Sequence, residues 1–81
     1  MICIRLFARL REQIGESECK YPLESPITIN ELLKLLIQSN ERWGKIGLSE
    51  LLCAINHQQV SLSAQVCPGD EVAFFPPVTG G

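Results

Sequence analysis

The sequence has little from which an active site could be assembled. Its 81 residues include one histidine, and no Gly-rich phosphate loop, GxSxG elbow, metal-ligand cluster or carboxylate pair in an apolar setting. A cysteine nucleophile needs a base to form its thiolate, and no motif ties His57 to a cysteine. His57 therefore reads as a turn residue. No apolar run approaches the ~20 residues that span a bilayer. Met1-Ile2-Cys3-Ile4-Arg5 lacks the charged-then-apolar order of a signal peptide. Basic residues form no cluster and the net charge is -2, which sets nucleic acid aside as a partner. The expectation is a cytoplasmic protein that does not catalyse a reaction by itself.

The four cysteines, Cys3, Cys19, Cys53 and Cys67, lie far apart without a CxxC pair, a spacing that does not suit zinc. Three of them fall in strand-like stretches, where a reduced cysteine acts as a small apolar residue. Free thiols in a reducing compartment are the reading. An apolar share of 46% against 20% charged residues describes a folded chain. At this length one domain, residues 1–81, only just affords a core.

Alternation over Ile2 to Ala8 predicts a strand with Ile2, Ile4, Leu6 and Ala8 buried and Cys3, Arg5 and Phe7 facing out. Arg9 to Ile14 predicts a short helix ended by Gly15. Ser17 to Leu23 alternates again, with Cys19, Tyr21 and Leu23 on one face, and Pro22 marks an edge or an end. The two strands should pair as a hairpin. Thr28 and Glu31 form a capping box, with Ile27 able to staple onto Leu32. Ile29, Leu32, Leu33 and Leu36 make one stripe of a helix over Ile29–Ser39. Leu35 and Ile37 widen the stripe toward a neighbouring loop. Glu41 to Glu50 reads as an irregular connection, with a helical turn pinned by a buried Trp43.

Leu51 to Asn56 reads as a strand buried on both faces, His57-Gln58-Gln59 as a turn, and Val60-Ser61-Leu62 as a short strand. Cys67-Pro68-Gly69-Asp70 is a tight turn, and Glu71 to Phe75 is the last strand. Two hairpins flanking a helix predict an α+β fold, one mixed sheet packed on one main helix, with the first and last strands adjacent in its middle. This is the ubiquitin-like β-grasp order.

The remaining chemistry is at the end of the chain. Phe74-Phe75-Pro76-Pro77-Val78-Thr79-Gly80-Gly81 is expected to protrude as a tail over residues 76–81, since the prolines favour extended geometry. Gly80-Gly81 has no side chains and can thread a narrow channel. A carboxylate on Gly81 must be activated before it reacts, for instance as an acyl-adenylate. The product is then a thioester, an amide to lysine or a thiocarboxylate. If Phe74 faces the core, Phe75 points with Phe7, and the two form an apolar patch beside the tail. The alternative is that Phe75 closes the core.

The terminal run Gly69 to Gly81, the segment Phe7-Ala8-Arg9-Leu10-Arg11-Glu12-Gln13-Ile14-Gly15 and Ala54-Ile55-Asn56 resemble the small, sulfur-carrier subunits of bacterial molybdopterin synthases. The likeness spans the chain. It implies a β-grasp fold that binds no cofactor of its own. A ubiquitin-activating-like adenylyltransferase would use ATP to adenylate Gly81, and a sulfur donor protein would convert the adenylate to a thiocarboxylate. Inserted into the large catalytic subunit, the tail would give sulfur to cyclic pyranopterin monophosphate, within a heterotetramer built on a large-subunit dimer. By the same resemblance Gly81 bears the sulfur and Gly80, Thr79, Val78, Pro77 and Pro76 form the threaded tail. Phe7 and Phe75 are then apolar contacts and Arg11 a polar one. Gln59 departs from the family, whose members often carry an apolar residue there. The alternatives are a sulfur carrier for thiamine or cysteine synthesis, a ubiquitin-like modifier, and an interaction domain whose tail does no chemistry.

Overall fold

A computed structural model describes residues 1–45 and 51–76. Strand β1 spans Ile2–Leu6 and buries Ile2, Ile4 and Leu6. Ala8, expected on the same buried side, is exposed. The alternation stops because Ala8 takes a positive φ of 54° at the entry to helix α1, Arg9–Ile14. That helix drops Leu10 and Ile14 into the core and ends at Gly15. Gly15 has φ 91° and donates its N–H to the Arg11 carbonyl at 2.9 Å, the left-handed cap that glycine adopts without strain. Strand β2, Glu18–Tyr21, returns antiparallel to β1 and stops before Pro22.

Helix α2, Ile29–Ser39, begins with the capping box expected of it. The Thr28 hydroxyl accepts from the Glu31 N–H at 3.1 Å, and the Glu31 carboxylate accepts from the Thr28 N–H at 3.0 Å. Ile29, Leu32, Leu33 and Leu36 are its buried stripe. Of the two flanking residues, Ile37 is half-buried beside Gly44, where an added Cβ would sit 3.6 Å from its Cγ2, while Leu35 is exposed. Gly44 belongs to a 3-10 helix, Glu41–Lys45, the helical turn that Trp43 was expected to pin. Trp43 is buried, edge-on to Phe74 with ring centroids 5.6 Å apart and planes at 76°. Such a pair adds ~1 kcal/mol beyond its buried area. The rest of that connection, residues 46–50, lies outside the described residues.

Strands β4 (Leu52–Ile55) and β5 (Gln58–Val60) form the second hairpin. Its turn is Asn56-His57 alone, with φ 51° and 70°, the two left-handed residues of a tight hairpin. The return strand therefore begins at Gln58. The expectation of a turn through Gln59 and a strand from Val60 to Leu62 is corrected by this: the two glutamines are strand residues, polar because β5 is a sheet edge. The last strand, β7, is Glu71–Phe75. The sheet order is β2-β1-β7-β4-β5, with β1 and β7 parallel at its centre. A second sheet escaped the sequence reading. Its strands β3 (Ile27–Thr28) and β6 (Gln65–Val66) are two residues each, too short to show alternation. The core lies on the face of the large sheet that carries Ile4, Val72, Phe74 and Cys53, closed by α2 and Trp43.

Candidate functional site

The opposite face of that sheet is built by the residues that alternate with the core. In β7, Val72 and Phe74 are buried, so Glu71, Ala73 and Phe75 face the other way. The parallel register sets Arg5 beside Ala73 and Leu6 beside Phe74. The Phe7 N–H then donates to the Phe74 carbonyl at 3.3 Å, which carries the ladder one step further and brings Phe7 next to Phe75. On the other flank, Ala54 faces Ala73 and Leu52 faces Phe75, while Gln59 on β5 faces Ala54.

The result is a groove of about 350 Å³. Its floor is the alanine pair, whose methyl groups leave the space that larger side chains would fill. Phe7 and Phe75 line it near the end of β7, Gln59 lines the β5 side, and Arg5, Glu71 and His57 line the other end. Phe7 is 47% exposed. Phe75 is half-buried, not the open aromatic expected, because β7 is central and flanked on both sides. It does not close the core; Phe74 does. Arg11 stands apart from this groove. It lines an adjoining hollow of about 200 Å³ that shares Arg5 and Phe7 with it and adds Ser17 and Glu18.

The polar end is a row of charges. The Glu71 carboxylate meets Arg5 Nε through one oxygen and His57 Nε2 through the other, each at 3.2 Å. Arg5 Nη2 lies 4.0 Å from Glu18, whose second oxygen accepts from the Cys3 thiol at 2.9 Å. That hydrogen bond, then burial, pushes the Cys3 thiol up, and the same bond holds the Glu18 carboxyl down. Cys3 is therefore held as a thiol. Burial also raises Cys19 and Cys53. All four cysteines are unbridged.

Asn56 fixes the position of His57. Its side-chain N–H donates to Asp70 at 3.1 Å, its carbonyl oxygen accepts from the Glu71 N–H at 3.0 Å, and its own N–H donates to the Glu71 carbonyl at 2.8 Å. The β4–β5 turn is thereby laid on the start of β7, which delivers the imidazole to Glu71. The sequence alone offers His57 no partner, since Glu71 is 14 positions away and no local pattern links them. Ala54 and Ala73 are no more legible there, as they signal a floor only once β4 and β7 are in register.

Of the residues expected to act, Pro76 follows β7 directly and is half-buried. Pro77, Val78, Thr79, Gly80 and Gly81 lie outside the described residues. Among the described residues no group of three or more His, Cys, Asp or Glu is placed to hold a metal ion, and no helix is long and apolar enough to cross a membrane.

The ThiS family matches residues 4–81. The molybdopterin synthase sulfur carrier subunit of Escherichia coli K12 is 38% identical over 82 residues, covering 100% of both chains. The crystal structure of SAMP1 from Haloferax volcanii superposes with a TM-score of 0.79 at 25% identity, over 99% of this chain and 98% of that one. A complex of subunits 1 and 2 of the molybdopterin-converting factor from Helicobacter pylori contains a chain of the same fold, with TM-score 0.66 at 23% identity and coverage of 99% and 97%. The mixed sheet on one main helix is the ubiquitin-like β-grasp fold, and the chain belongs to the ThiS family, among the molybdopterin synthase sulfur carrier subunits.

Proposed function

We propose that the chain carries sulfur on the carboxylate of Gly81 and delivers it by docking the groove face on a larger catalytic subunit. In the first step the carboxylate attacks the α-phosphorus of ATP on a ubiquitin-activating-like adenylyltransferase. An acyl-phosphate bond forms and pyrophosphate leaves. Sulfur at the oxidation level of sulfide, brought by a donor protein, then attacks the acyl carbon and displaces AMP, leaving a thiocarboxylate. Within the large subunit of molybdopterin synthase, Gly80, Thr79, Val78, Pro77 and Pro76 thread toward the substrate. The thiocarboxylate sulfur bonds to a carbon of cyclic pyranopterin monophosphate, and water then hydrolyses the acyl–sulfur bond, leaving the sulfur on the acceptor and a carboxylate on Gly81.

The observation that carries this reading is the place where the chain leaves the sheet. The core strand β7 ends at Phe75-Pro76 on the rim of a groove walled by Phe7 and Phe75. A protein that holds the following residues therefore covers an apolar hollow as it does so, and exposed apolar patches mark such interfaces. Arg11, in the adjoining hollow, adds a cation at the edge of the same face. The two-subunit complex of the Helicobacter pylori relative supports a large subunit as the partner. A heterotetramer, with two of these chains on a large-subunit dimer, is the assembly proposed. Free thiols suit the reducing cytoplasm as its compartment.

Intact mass of the protein from its host, and after incubation with activating enzyme, ATP and sulfur donor, tests the reading. Replacement of one oxygen by sulfur on Gly81 is the expected result. A terminus left unmodified with all three supplied would sink it. The Haloferax volcanii SAMP1 is a small archaeal modifier protein; lysine-linked conjugates of higher mass would favour a modifier over a sulfur carrier.

A further inference from the structure

The β4–β7 ladder continues one step past the end of β4. Beyond the Ile55–Val72 pair, a regular antiparallel ladder would set Asn56 against Glu71, each N–H donating to the other's backbone carbonyl. One half of that pair is present, as the Asn56 N–H donates to the Glu71 carbonyl at 2.8 Å. The other half is made by a side chain. The Glu71 N–H donates to Asn56 Oδ1 at 3.0 Å, because the backbone at Asn56 has already turned into the hairpin with φ 51°. The amide nitrogen of the same side chain donates to Asp70 Oδ1 at 3.1 Å, and Asp70 Oδ2 accepts the Cys67 N–H at 2.8 Å. One amide and one carboxylate thus join the β4–β5 turn to the Cys67–Asp70 turn. Asparagine meets three demands at once here: it tolerates left-handed φ, offers an acceptor to Glu71 and offers a donor to Asp70. Glycine would keep the turn and lose both bonds. Aspartate would keep the acceptor and set a second carboxylate against Asp70.

We propose that the Asn56–Asp70 pair is the positioning element of the docking groove, holding its β5 wall in place before the large subunit arrives. This rests on the docking proposed above and adds two residues that prepare the docking face without lining the groove. Strand β5 has three residues, one neighbouring strand and an open edge. It is held over the groove by its hairpin, and the turn of that hairpin is tied down by Asn56. Two groove residues ride on the turn and the return strand: His57, beside Glu71, and Gln59, opposite Ala54. With the pair intact, a partner meets a wall that is already formed. Without it, binding must also order the hairpin, and affinity falls by the cost of that ordering.

Titration calorimetry of the full-length carrier into its purified large subunit tests this, at a temperature where circular dichroism shows every variant folded. Asn56→Gly should bind about three- to tenfold more weakly than wild type. Asn56→Asp and Asp70→Asn should each weaken binding as well, the first by opposing two carboxylates, the second by leaving one donor facing another. Together, Asn56→Asp and Asp70→Asn keep the net charge and rebuild the bond in reverse, the new amide donating to the new carboxylate while both peptide N–H groups keep an acceptor. The double variant should recover wild-type affinity. In a Gln59→Ala background, Asn56→Gly should cost less affinity than it does alone, a coupling that a purely structural role would not produce. A folded Asn56→Gly variant that binds like wild type overturns the positioning role. So does a folded double variant as weak as the single ones, or an equal loss in both backgrounds. Each of these leaves the docking reading intact, provided that wild type binds; wild type that fails to bind overturns both.

Discussion

Ala54 and Ala73 face each other across β4 and β7, and the space above their methyl groups is the floor of the groove. Two neighbouring residues of ordinary strand size would make this face flat. The groove is thus a consequence of two small residues in register, with the aromatic pair at one end and the row of charges at the other.

Ala73→Leu should fill the floor without touching the core, because Ala73 points away from Val72 and Phe74. The melting temperature is expected to stay close to wild type while affinity for the large subunit falls by about tenfold, ~1.4 kcal/mol. Thermal melts alongside titration calorimetry check both halves. Unchanged affinity would show that the groove floor lies outside the interface.

Phe75→Ala should weaken large-subunit binding more than it weakens the fold, since truncation of an interface anchor costs ~2 kcal/mol or more. Phe74→Ala is the contrast. It removes the edge-on partner of Trp43 from the core and should cost ~3–5 kcal/mol of stability. Urea midpoints of the two variants should therefore separate widely.

Deletion of Gly81 should leave the urea and thermal transitions unchanged and abolish sulfur transfer, because the residue carries the proposed sulfur site and, as a glycine, has no side chain to contribute to packing. Retained transfer of sulfur by the shortened chain would refute the assignment.

Thr28→Ala removes half of the capping box and should cost ~1 kcal/mol at neutral pH. The box also predicts an acid dependence. Hydrogen bonds from the Thr28 N–H first, and from its hydroxyl second, hold the Glu31 carboxyl below the ordinary range. A carboxyl depressed by folding stabilises fully above its unfolded pKa, and that contribution disappears as pH falls through the lower folded value. The difference in stability between wild type and Glu31→Gln should accordingly shrink in acid. Melts at pH 7 and at low pH provide the check.

Much of the fold was legible from periodicity and local chemistry. The alternation in β1 and β7, the i, i+3, i+4, i+7 stripe of α2, its capping box, Gly15 and the Cys67–Asp70 turn all depend on residues close in sequence. Their geometry follows from short-range sterics and hydrogen bonds, and from which face must be hidden from water. The β3–β6 pair and the start of β5 were not legible, because two-residue strands and polar edge strands carry no pattern of burial.

The sequence by itself determined which side chains of β1 share a face and that Phe74 and Phe75 lie on opposite faces of the last strand; burial of Phe74 then put Phe75 on the side of Phe7. It also determined that self-contained catalytic motifs are missing and that Gly80-Gly81 follows an apolar strand. Only the tertiary structure decided what lies beside those aromatics. Cross-strand register between segments tens of residues apart set Ala54 against Ala73, Arg5 against Glu71 and the His57 turn upon β7. Alternation says which face a residue is on; it carries no information about which residue of another strand stands next to it.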